Sequence, residues 1–288
     1  MRGPKWPHWP TFVVLCVETP APWKVCGSKL REFLDDAHYR GLVTALMGLE
    51  ARLRLARLYL CTDAREKQGD LGSFLQAAFA GGVDIVQIRQ KNMKPEAELA
   101  ALEIARQAAT PYQAIVCVND SAEVAGRFQA DMLHLGQADG PSATARRYLH
   151  PWALLGRSTH ARRQADKAIK DSNVDYFCVG PVYATSTKPD YEPVGLDLVR
   201  YAAKKAPVAA ISSKPWFAIG GISMDNIEDV IAAGARRVCV VRAITQATDP
   251  QAAADQLSSR LRAVWKSDPA MERYVFQALS APAKPRLF

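Results

Sequence analysis

Eight short apolar runs, separated by segments of helical length, constrain the fold of this chain more than any other feature. Each run has three to five residues, and the runs cover Leu58–Thr62, Asp84–Ile88, Ala114–Val118, Met132–Leu135, Ala153–Leu155, Tyr176–Val179, Trp216–Ile219 and Val238–Val241. The amphipathic segments between and after them predict helices at Gly69–Ala80, Pro95–Ala109, Ser121–Gln129, Ser142–Leu149, Arg162–Asp171, Leu196–Lys205, Ser223–Ala233 and Pro250–Val264. Apolar strands that alternate with helices indicate a parallel α/β sheet covered on both faces.

Eight such units within about 210 residues favour a closed (β/α)8 barrel, the TIM barrel, built as a single domain over residues 57–264. An open doubly wound sheet is the alternative. That fold calls for a glycine-rich dinucleotide turn after the first strand, and the segment Leu60–Arg65 contains no glycine. The barrel is therefore the predicted architecture.

The segments that flank the barrel are predicted to carry no chemistry. Residues 1–56 form an N-terminal extension that is irregular through residue 27 and then helical from Ser28 to about Arg57. Residues 265–288 contain three prolines and are predicted to form a loosely ordered C-terminal tail.

The charge and hydropathy of the chain exclude several classes of partner. The net charge is +8, but residues 1–56 hold +3 of it and residues 265–288 hold +2, which leaves +3 for the barrel segment. This excess is small and no basic stripe is interleaved with aromatic residues, so we expect no nucleic-acid partner. No run approaches the roughly 18 apolar residues of a membrane helix, so we expect no membrane partner. A homo-oligomer is an option that the sequence leaves open.

The cysteines favour a reducing compartment. None of the six lies in a CxxC motif, and Cys61, Cys117, Cys178 and Cys239 fall inside apolar runs, where a thiol behaves as a small buried hydrophobe. The apolar run Phe12–Val17 is too short for a secretory signal and is surrounded by prolines. The expected location is the cytoplasm.

The ends of the second, third and fourth strands carry the first group of candidate site residues, because barrel enzymes place their chemistry at the carboxyl ends of strands. Alternation brings Gln87, Arg89 and Lys91 to one side, where they could grip an anion, although a solvated charge pair is an equally good interpretation. Asp120 and Asp139 follow the next two strands and suit Mg²⁺ shared with a diphosphate. A helix cap at Asp120 and a turn at Asp139 are the alternatives.

The remaining strand ends suggest a second anion site. Ser158 follows the fifth strand as a ligand or a helix cap, while His134 lies inside the fourth strand and is expected to be a core or supporting residue. Hydroxyl groups and a lysine follow the sixth strand, two glycines follow the seventh, and an arginine follows the eighth: Thr185, Ser186, Thr187, Lys188, Gly220, Gly221, Val241 and Arg242. Two phosphorylated ligands at one mouth suggest a joining reaction that releases diphosphate. No Ser/His/Asp arrangement is evident.

The chain resembles the thiamine-phosphate synthase (thiamine-phosphate pyrophosphorylase) family from about Ala56 to Leu261. The resemblance rests on LYLCTDAR, GGVDIVQIRQK, VNDSAEVA, ADMLHLGQAD, GRSTH, DYFCVGPVYATSTK, PWFAIGGIS and GARRVCVVRAIT, in family order. It implies an alkyl- or aryl-group transferase of thiamine biosynthesis that joins hydroxymethylpyrimidine diphosphate to hydroxyethylthiazole phosphate. It also implies a dissociative mechanism with Mg²⁺-assisted departure of diphosphate.

The resemblance assigns roles residue by residue. It implies that the pyrimidine diphosphate is bound by Gln87, Ile88, Arg89, Gln90, Lys91, Asn119, Ser158 and Lys188, of which Arg89, Lys91, Lys188 and Ser158 take part in catalysis. It implies Mg²⁺ at Asp120 and Asp139, and the thiazole phosphate at Thr185, Ser186, Thr187, Gly221, Val241 and Arg242. Arg242 stands where many relatives have serine, and Ala138 stands where they have an acidic residue.

Two other functions remain as alternatives. A thiazole tautomerase would keep the phosphate cradle and use a histidine base, but it would have no use for a diphosphate grip. A phosphate-ligand sensor on the same scaffold would bind without turnover. The synthase is favoured because the chain contains all the residues of the diphosphate grip together: Gln87, Arg89, Lys91, Asp120, Asp139 and Lys188.

Overall fold

The computed structural model describes residues 48–185 and 192–280, and its helices and strands are numbered in chain order from residue 48. Eight parallel strands close into a barrel in chain order, with the last strand paired to the first, so the predicted (β/α)8 fold is confirmed. The strands are β1 Leu58–Thr62, β2 Ile85–Ile88, β3 Ile115–Asn119, β4 Met132–Leu135, β5 Leu154–Thr159, β6 Tyr176–Val179, β7 Trp216–Ile219 and β8 Val238–Val240.

The helices alternate with the strands as the sequence pattern predicts. They are α1 Leu49–Leu55, α2 Leu71–Ala80, α3 Pro95–Ala109, α4 Ala122–Phe128, α5 Ser142–Arg146, α6 Arg162–Lys170, α7 Gly195–Lys205, α8 Ile227–Ala232, α9 Arg242–Thr245, α10 Pro250–Ser267 and α11 Pro269–Ser280. The apolar faces of α2 to α10 and the outward faces of the strands form one buried cluster. No helix in the described part of the chain is long and apolar enough to cross a membrane.

Two element boundaries differ from the prediction in ways that affect the site. Strand β5 continues to Thr159 instead of ending at Leu155, because Gly156–Thr159 pair with β6. Helix α8 begins at Ile227 instead of Ser223, since Asn226 Oδ1 accepts from the Ser223 backbone N–H and holds the intervening residues in a turn. The glycines that follow β7 therefore do not lead directly into a helix.

The inside of the barrel is filled by inward-facing side chains from all eight strands. Three aromatic rings dominate its centre: Tyr59 and Tyr176 both pack edge-on against Phe217, with ring centroids 5.4 and 6.0 Å away. Such edge-to-face contacts fill volume and restrict ring orientation together. The barrel is thus a packed core below its mouth.

Helix α1 closes the amino-terminal end of the barrel. Leu53 is 1% exposed and belongs to the same cluster as the inward-facing strand residues. The Arg52 side chain donates to Ala114 O, just before β3, at 2.9 Å, and the Arg54 side chain donates to Ile211 O at 2.8 Å. The helical part of the predicted extension that is described therefore belongs to the barrel's packing, while residues 1–47 lie outside the described residues.

The prediction of a loosely ordered tail is wrong for residues 266–280. Helix α10 continues to Ser267 and α11 follows it, with Met271, Tyr274 and Ala278 buried against Trp265. Pro269 occupies the first turn of α11, where its missing N–H costs no hydrogen bond, so a proline here begins a helix rather than preventing one.

Candidate active site

Two adjoining cavities open at the carboxyl ends of the strands, where the sequence predicts the chemistry. The larger, about 330 Å³, is lined by residues after β6, β7 and β8, and we call it the glycine-side cavity. The smaller, about 200 Å³, is lined by residues after β2, β3 and β4, and we call it the carboxylate-side cavity. The two share a set of lining residues that includes Arg89 and Ser158. Two ligands could therefore lie side by side.

The side chains predicted to grip an anion after β2 lie together. Gln87, Arg89 and Lys91 all line the carboxylate-side cavity, as alternation requires. Gln87 is 3% exposed, whereas Lys91 lies at the exposed rim. The Gln87 Nε2 donates to Asn119 Oδ1 at 2.7 Å, which joins the ends of β2 and β3.

Asp120 and Asp139 meet at this cavity, although they follow different strands. Partial removal of Asp120 from water, followed by the hydrogen-bonded Asp139 carboxyl and its like charge, raises the pKa of Asp120 to about 6. The nearby Arg89 and the Asn119 amide act in the opposite direction. Two carboxyls this close favour either a shared proton or a cation between them.

The helix-cap interpretation of Asp120 is wrong, whereas the turn interpretation of Asp139 is confirmed. Helix α4 is capped by Ser121, whose hydroxyl accepts from Val124 N at 3.1 Å, so Asp120 is not the cap. Asp120 instead adopts φ +60°, a left-handed conformation that aspartate tolerates, between the end of β3 and the cap. Asp139 does lie in a turn, and its Oδ2 accepts from Gly136 N at 2.6 Å. The turn holds this carboxylate at the cavity.

Ser158 lies within β5 and faces the cavities, so the helix-cap interpretation is wrong. Its Oγ is 2.9 Å from His134 Nε2, and His134 Nδ1 is 3.0 Å from the Tyr176 hydroxyl. His134 is buried, as expected of a supporting residue. Ser158 and His134 therefore form a serine–histidine pair that the sequence does not predict, but the group that contacts Nδ1 is a phenol and not the carboxylate of a Ser/His/Asp arrangement.

Two residues assigned to the pyrimidine diphosphate do not line either cavity. Ile88 is 1% exposed, and its side chain belongs to the cluster between strands and helices. The Gln90 side chain turns toward β1, where its Oε1 accepts from Ala64 N at 3.1 Å. Alternation along β2 predicts the outward direction of Ile88.

The glycine-side cavity collects the described residues assigned to the thiazole phosphate. Thr185, Gly221, Val241 and Arg242 all line it. Gly220 and Gly221 have φ +105° and +67°, and a Cβ on Gly220 would lie 2.5 Å from Pro181 Cα, so only glycine allows the loop after β6 to approach. Ser186, Thr187 and Lys188 lie outside the described residues.

One histidine and three cysteines line the cavities although the sequence does not mark them as site residues. His160 borders the glycine-side cavity, and its Nδ1 contacts Gly180 O, which makes Nδ1 the donor. Cys61, Cys178 and Cys239 form part of the floor of both cavities. The sequence correctly predicts that these thiols are buried, but inward and outward strand positions could not be distinguished in fully apolar runs.

Comparison with known proteins agrees with this geometry. The family model described as "Thiamine monophosphate synthase" matches residues 58–244. The thiamine-phosphate synthase of Thermobifida fusca is 54% identical over 213 residues, covering 74% of this chain and 95% of its own, and that of Saccharopolyspora erythraea is 52% identical over 219 residues, covering 74% and 96%.

A solved structure gives the same result. The thiamine phosphate pyrophosphorylase from Pyrococcus furiosus superposes with a TM-score of 0.64 at 29% identity, covering 74% of this chain and 98% of its own. The matched family segment spans all eight strands and, apart from Gln246, every described residue that lines the two cavities. The similarity thus extends over the whole barrel and not only over single motifs. The chain is an enzyme that belongs to the thiamine monophosphate synthase family.

Proposed function

We propose that this enzyme synthesises thiamine phosphate by joining hydroxymethylpyrimidine diphosphate to hydroxyethylthiazole phosphate with release of diphosphate. The observation that carries the proposal is the pair of adjoining cavities with the shared side chains of Arg89 and Ser158. A joining reaction needs two phosphorylated ligands next to each other, one with a leaving group and one with an attacking atom.

The diphosphate of the pyrimidine substrate fits the carboxylate-side cavity. Arg89 and Lys91 supply positive charge there, and Gln87 and Ser158 supply polar groups for orientation. Lys188, which the family resemblance adds to this set, follows Thr185 closely in the chain and would bring a third cation. The phosphate of the thiazole fits the glycine-side cavity, beside the Gly221 backbone and the Arg242 side chain.

The donor set of the carboxylate-side cavity fits Mg²⁺. Asp120 and Asp139 offer paired carboxylate oxygens, and within residues 48–185 and 192–280 no larger cluster of His, Cys, Asp or Glu could hold a metal. Mg²⁺ commonly binds through one or two carboxylates together with water and substrate phosphates. When bound, the ion would neutralise charge on the diphosphate and so favour its departure.

The mechanism we propose is dissociative. The bond between the pyrimidine methylene carbon and the diphosphate oxygen breaks first, and its electron pair leaves with the diphosphate. The resulting methylene cation is stabilised by resonance with the aminopyrimidine ring, and the thiazole nitrogen then forms the new C–N bond. Arg89 and Lys91 would stabilise the charge that develops on the leaving group, and no protein nucleophile takes part.

The test is an assay of diphosphate release and thiamine phosphate formation with both substrates, with and without Mg²⁺. Turnover that needs both substrates supports the proposal, whereas binding without turnover points to a sensor. His160 borders the glycine-side cavity, so a histidine that could act as the base of a tautomerase is present. Isomerisation of a thiazole phosphate without diphosphate release would therefore overturn the synthase proposal.

The proposed location is the reducing cytoplasm. Cys61, Cys117, Cys178 and Cys239 are all buried free thiols, and Cys61 Sγ is 3.4 Å from Cys239 Sγ without a bond between them. Proteins of oxidising compartments commonly pair their cysteines. Fractionation of cells that produce the full chain, with immunodetection of the enzyme, tests this location.

A further inference from the structure

Five polar side chains form a continuous hydrogen-bonded chain beneath the two cavities. Tyr59 OH is 2.9 Å from Gln87 Oε1 and 3.4 Å from the Tyr176 hydroxyl, which is 3.0 Å from His134 Nδ1. His134 Nε2 then contacts Ser158 Oγ at 2.9 Å. Both tyrosines are fully buried, while the two ends, Gln87 and Ser158, line the cavities. We call these five residues the polar chain.

The direction of the polar chain is set at its Gln87 end by the side-chain amide of Asn119. Asn119 Nδ2 donates to Asp120 Oδ2 at 2.7 Å, so Asn119 Oδ1 is left to accept from Gln87 Nε2 at 2.7 Å. Gln87 Oε1 must then accept, and it does so from the Tyr59 hydroxyl and the Cys61 thiol. The Gln87 amide therefore has one orientation, with Oε1 toward Tyr59 and Nε2 toward Asn119. The second N–H of Nε2 can donate to a ligand.

The other half of the polar chain, from Tyr176 to Ser158, also has a preferred direction. The Tyr59 hydroxyl donates to Gln87 Oε1, so the Tyr176 hydroxyl can donate to His134 Nδ1 at 3.0 Å, to the Tyr59 oxygen at 3.4 Å or to Cys117 Sγ at 3.8 Å. The distance to His134 lies in the range of ordinary hydrogen bonds, the distance to Tyr59 does not, and a thiol sulfur is a weak acceptor. Burial also raises the pKa of the Tyr176 phenol, which keeps it a donor. His134 then carries its proton on Nε2 and donates it to Ser158 Oγ.

We propose that Tyr59, Tyr176 and His134 are positioning residues that make Gln87 and Ser158 hydrogen-bond donors toward the pyrimidine diphosphate. Because His134 donates to the Ser158 oxygen, the hydroxyl proton of Ser158 is free for an acceptor in the cavity. Diphosphate oxygens and pyrimidine ring nitrogens are such acceptors. The inference rests on the proposed function for the identity of this ligand, but the direction of the polar chain does not.

The opposite direction would imply different chemistry. If Ser158 donated to His134 Nε2, the histidine would be a general base and the serine a candidate nucleophile. The protonated nitrogen of His134 therefore distinguishes positioning from covalent catalysis. The distinction concerns a single proton, which can be located by experiment.

The first experiment measures the tautomer of His134 in the substrate-free enzyme. Side-chain nitrogen chemical shifts of the nitrogen-15-labelled protein, assigned by the signal lost in His134→Gln, report which nitrogen carries the proton. We expect a neutral ring protonated at Nε2. A ring protonated at Nδ1, or shifts averaged between the two tautomers, would overturn the proposal. This measurement needs no substrate, so its result is independent of whether the proposed function is correct.

The second experiment removes one hydroxyl and keeps the packing. Tyr176→Phe retains the ring against Phe217 but removes the hydroxyl that lies 3.0 Å from His134 Nδ1. We expect KM for the pyrimidine diphosphate to rise about tenfold and KM for the thiazole phosphate to stay unchanged. Added to Ser158→Ala, the change should have little further effect, because its action passes through Ser158. Equal changes in both KM values, or fully additive effects, would indicate a merely structural hydroxyl.

Tyr274→Phe is the matched control. Tyr274 is also buried, and its hydroxyl accepts from Arg237 Nη2 at 3.0 Å, but it lies on α11 and packs against Trp265, away from the two cavities. This variant should keep both KM values. If the unaltered enzyme releases no diphosphate from the two substrates, the proposed function fails, and binding of the pyrimidine diphosphate measured by calorimetry replaces KM as the quantity compared.

Discussion

The ring of Tyr176 occupies the space that a side chain at position 156 would fill. A Cβ on Gly156 would lie 2.1 Å from Tyr176 Cζ and 2.5 Å from its hydroxyl oxygen. Gly156 lies on β5 opposite Tyr176 on β6, and the ring leans across it to reach His134. A glycine with no unusual backbone angle is thus required for the packing of the barrel centre and for the polar chain.

We expect Gly156→Ala to destabilise the protein by about 2–3 kcal/mol, because the added methyl overpacks the barrel and displaces the Tyr176 ring. Urea unfolding followed by circular dichroism measures the change. Gly72→Ala on α2 is the matched control, since its Cβ would meet Ile104 at 3.5 Å, an ordinary contact. The control should leave stability unchanged or raise it by up to about 1 kcal/mol. Equal stability of the two variants would contradict the packing argument.

Arg89→Ala should lower kcat/KM for diphosphate release by about 100-fold, because a positioned cation is lost where negative charge develops. A steady-state assay with both substrates checks this. Arg163→Ala, at an exposed position on α6, should leave the rate unchanged. Similar rates for both variants would mean that Arg89 is only a solvated charge at a strand end.

Removal of Mg²⁺ by EDTA should abolish turnover, and Asp120→Ala should do so even with the metal present. Asp120 would help to hold the Mg²⁺ that neutralises charge on the diphosphate, so either change removes the same charge stabilisation. The check is diphosphate release before and after Mg²⁺ is restored. Full activity in EDTA would refute the magnesium site.

Asp139→Asn should stabilise the metal-free protein at neutral pH. The pKa of Asp120 is raised to about 6 in the folded state, so the folded state binds this proton more tightly than the unfolded chain. The resulting stabilisation is present below about pH 4 and is lost as the pH rises through about 6. In Asp139→Asn the neighbouring negative charge is absent, so less stability is lost as the pH rises. In EDTA at about pH 7.5, the thermal midpoint of the variant should therefore exceed that of the unaltered protein, and the two midpoints should converge at about pH 4. A difference between the midpoints that does not change with pH would contradict the coupling of the two carboxyls.

Leu53→Ala should cost about 2–4 kcal/mol, because a fully buried side chain that closes the barrel is replaced by a cavity. Denaturant unfolding measures the loss. Leu49→Ala, one helical turn earlier and only partly buried, should cost clearly less. If Leu53→Ala were as mild as this control, α1 would be an appendage rather than part of the barrel.

Sequence reasoning located most of the candidate site because barrel geometry is repetitive. Alternation within β2 correctly separates the inward Gln87 from the outward Ile88. The position of Asp120 after β3 and Asp139 after β4 likewise predicts that they meet, since the carboxyl ends of neighbouring parallel strands lie at one edge. The prediction of a loosely ordered tail is wrong for a local reason: its prolines indicate irregular structure, but Pro269 lies in the first turn of α11, where a helix accepts proline.

The alternating pattern of the chain by itself determined the barrel, its order of strands and the rim that carries the charged residues, because hydrophobic periodicity and short connections leave few other ways to bury those strands. The tertiary structure alone decided which buried polar atoms meet across the barrel. Tyr59, His134 and Tyr176 lie on strands that are far apart in sequence, and each looks like an ordinary core residue in its own run. Their hydrogen bonds exist only because closure of the sheet and the missing side chain of Gly156 bring them within reach.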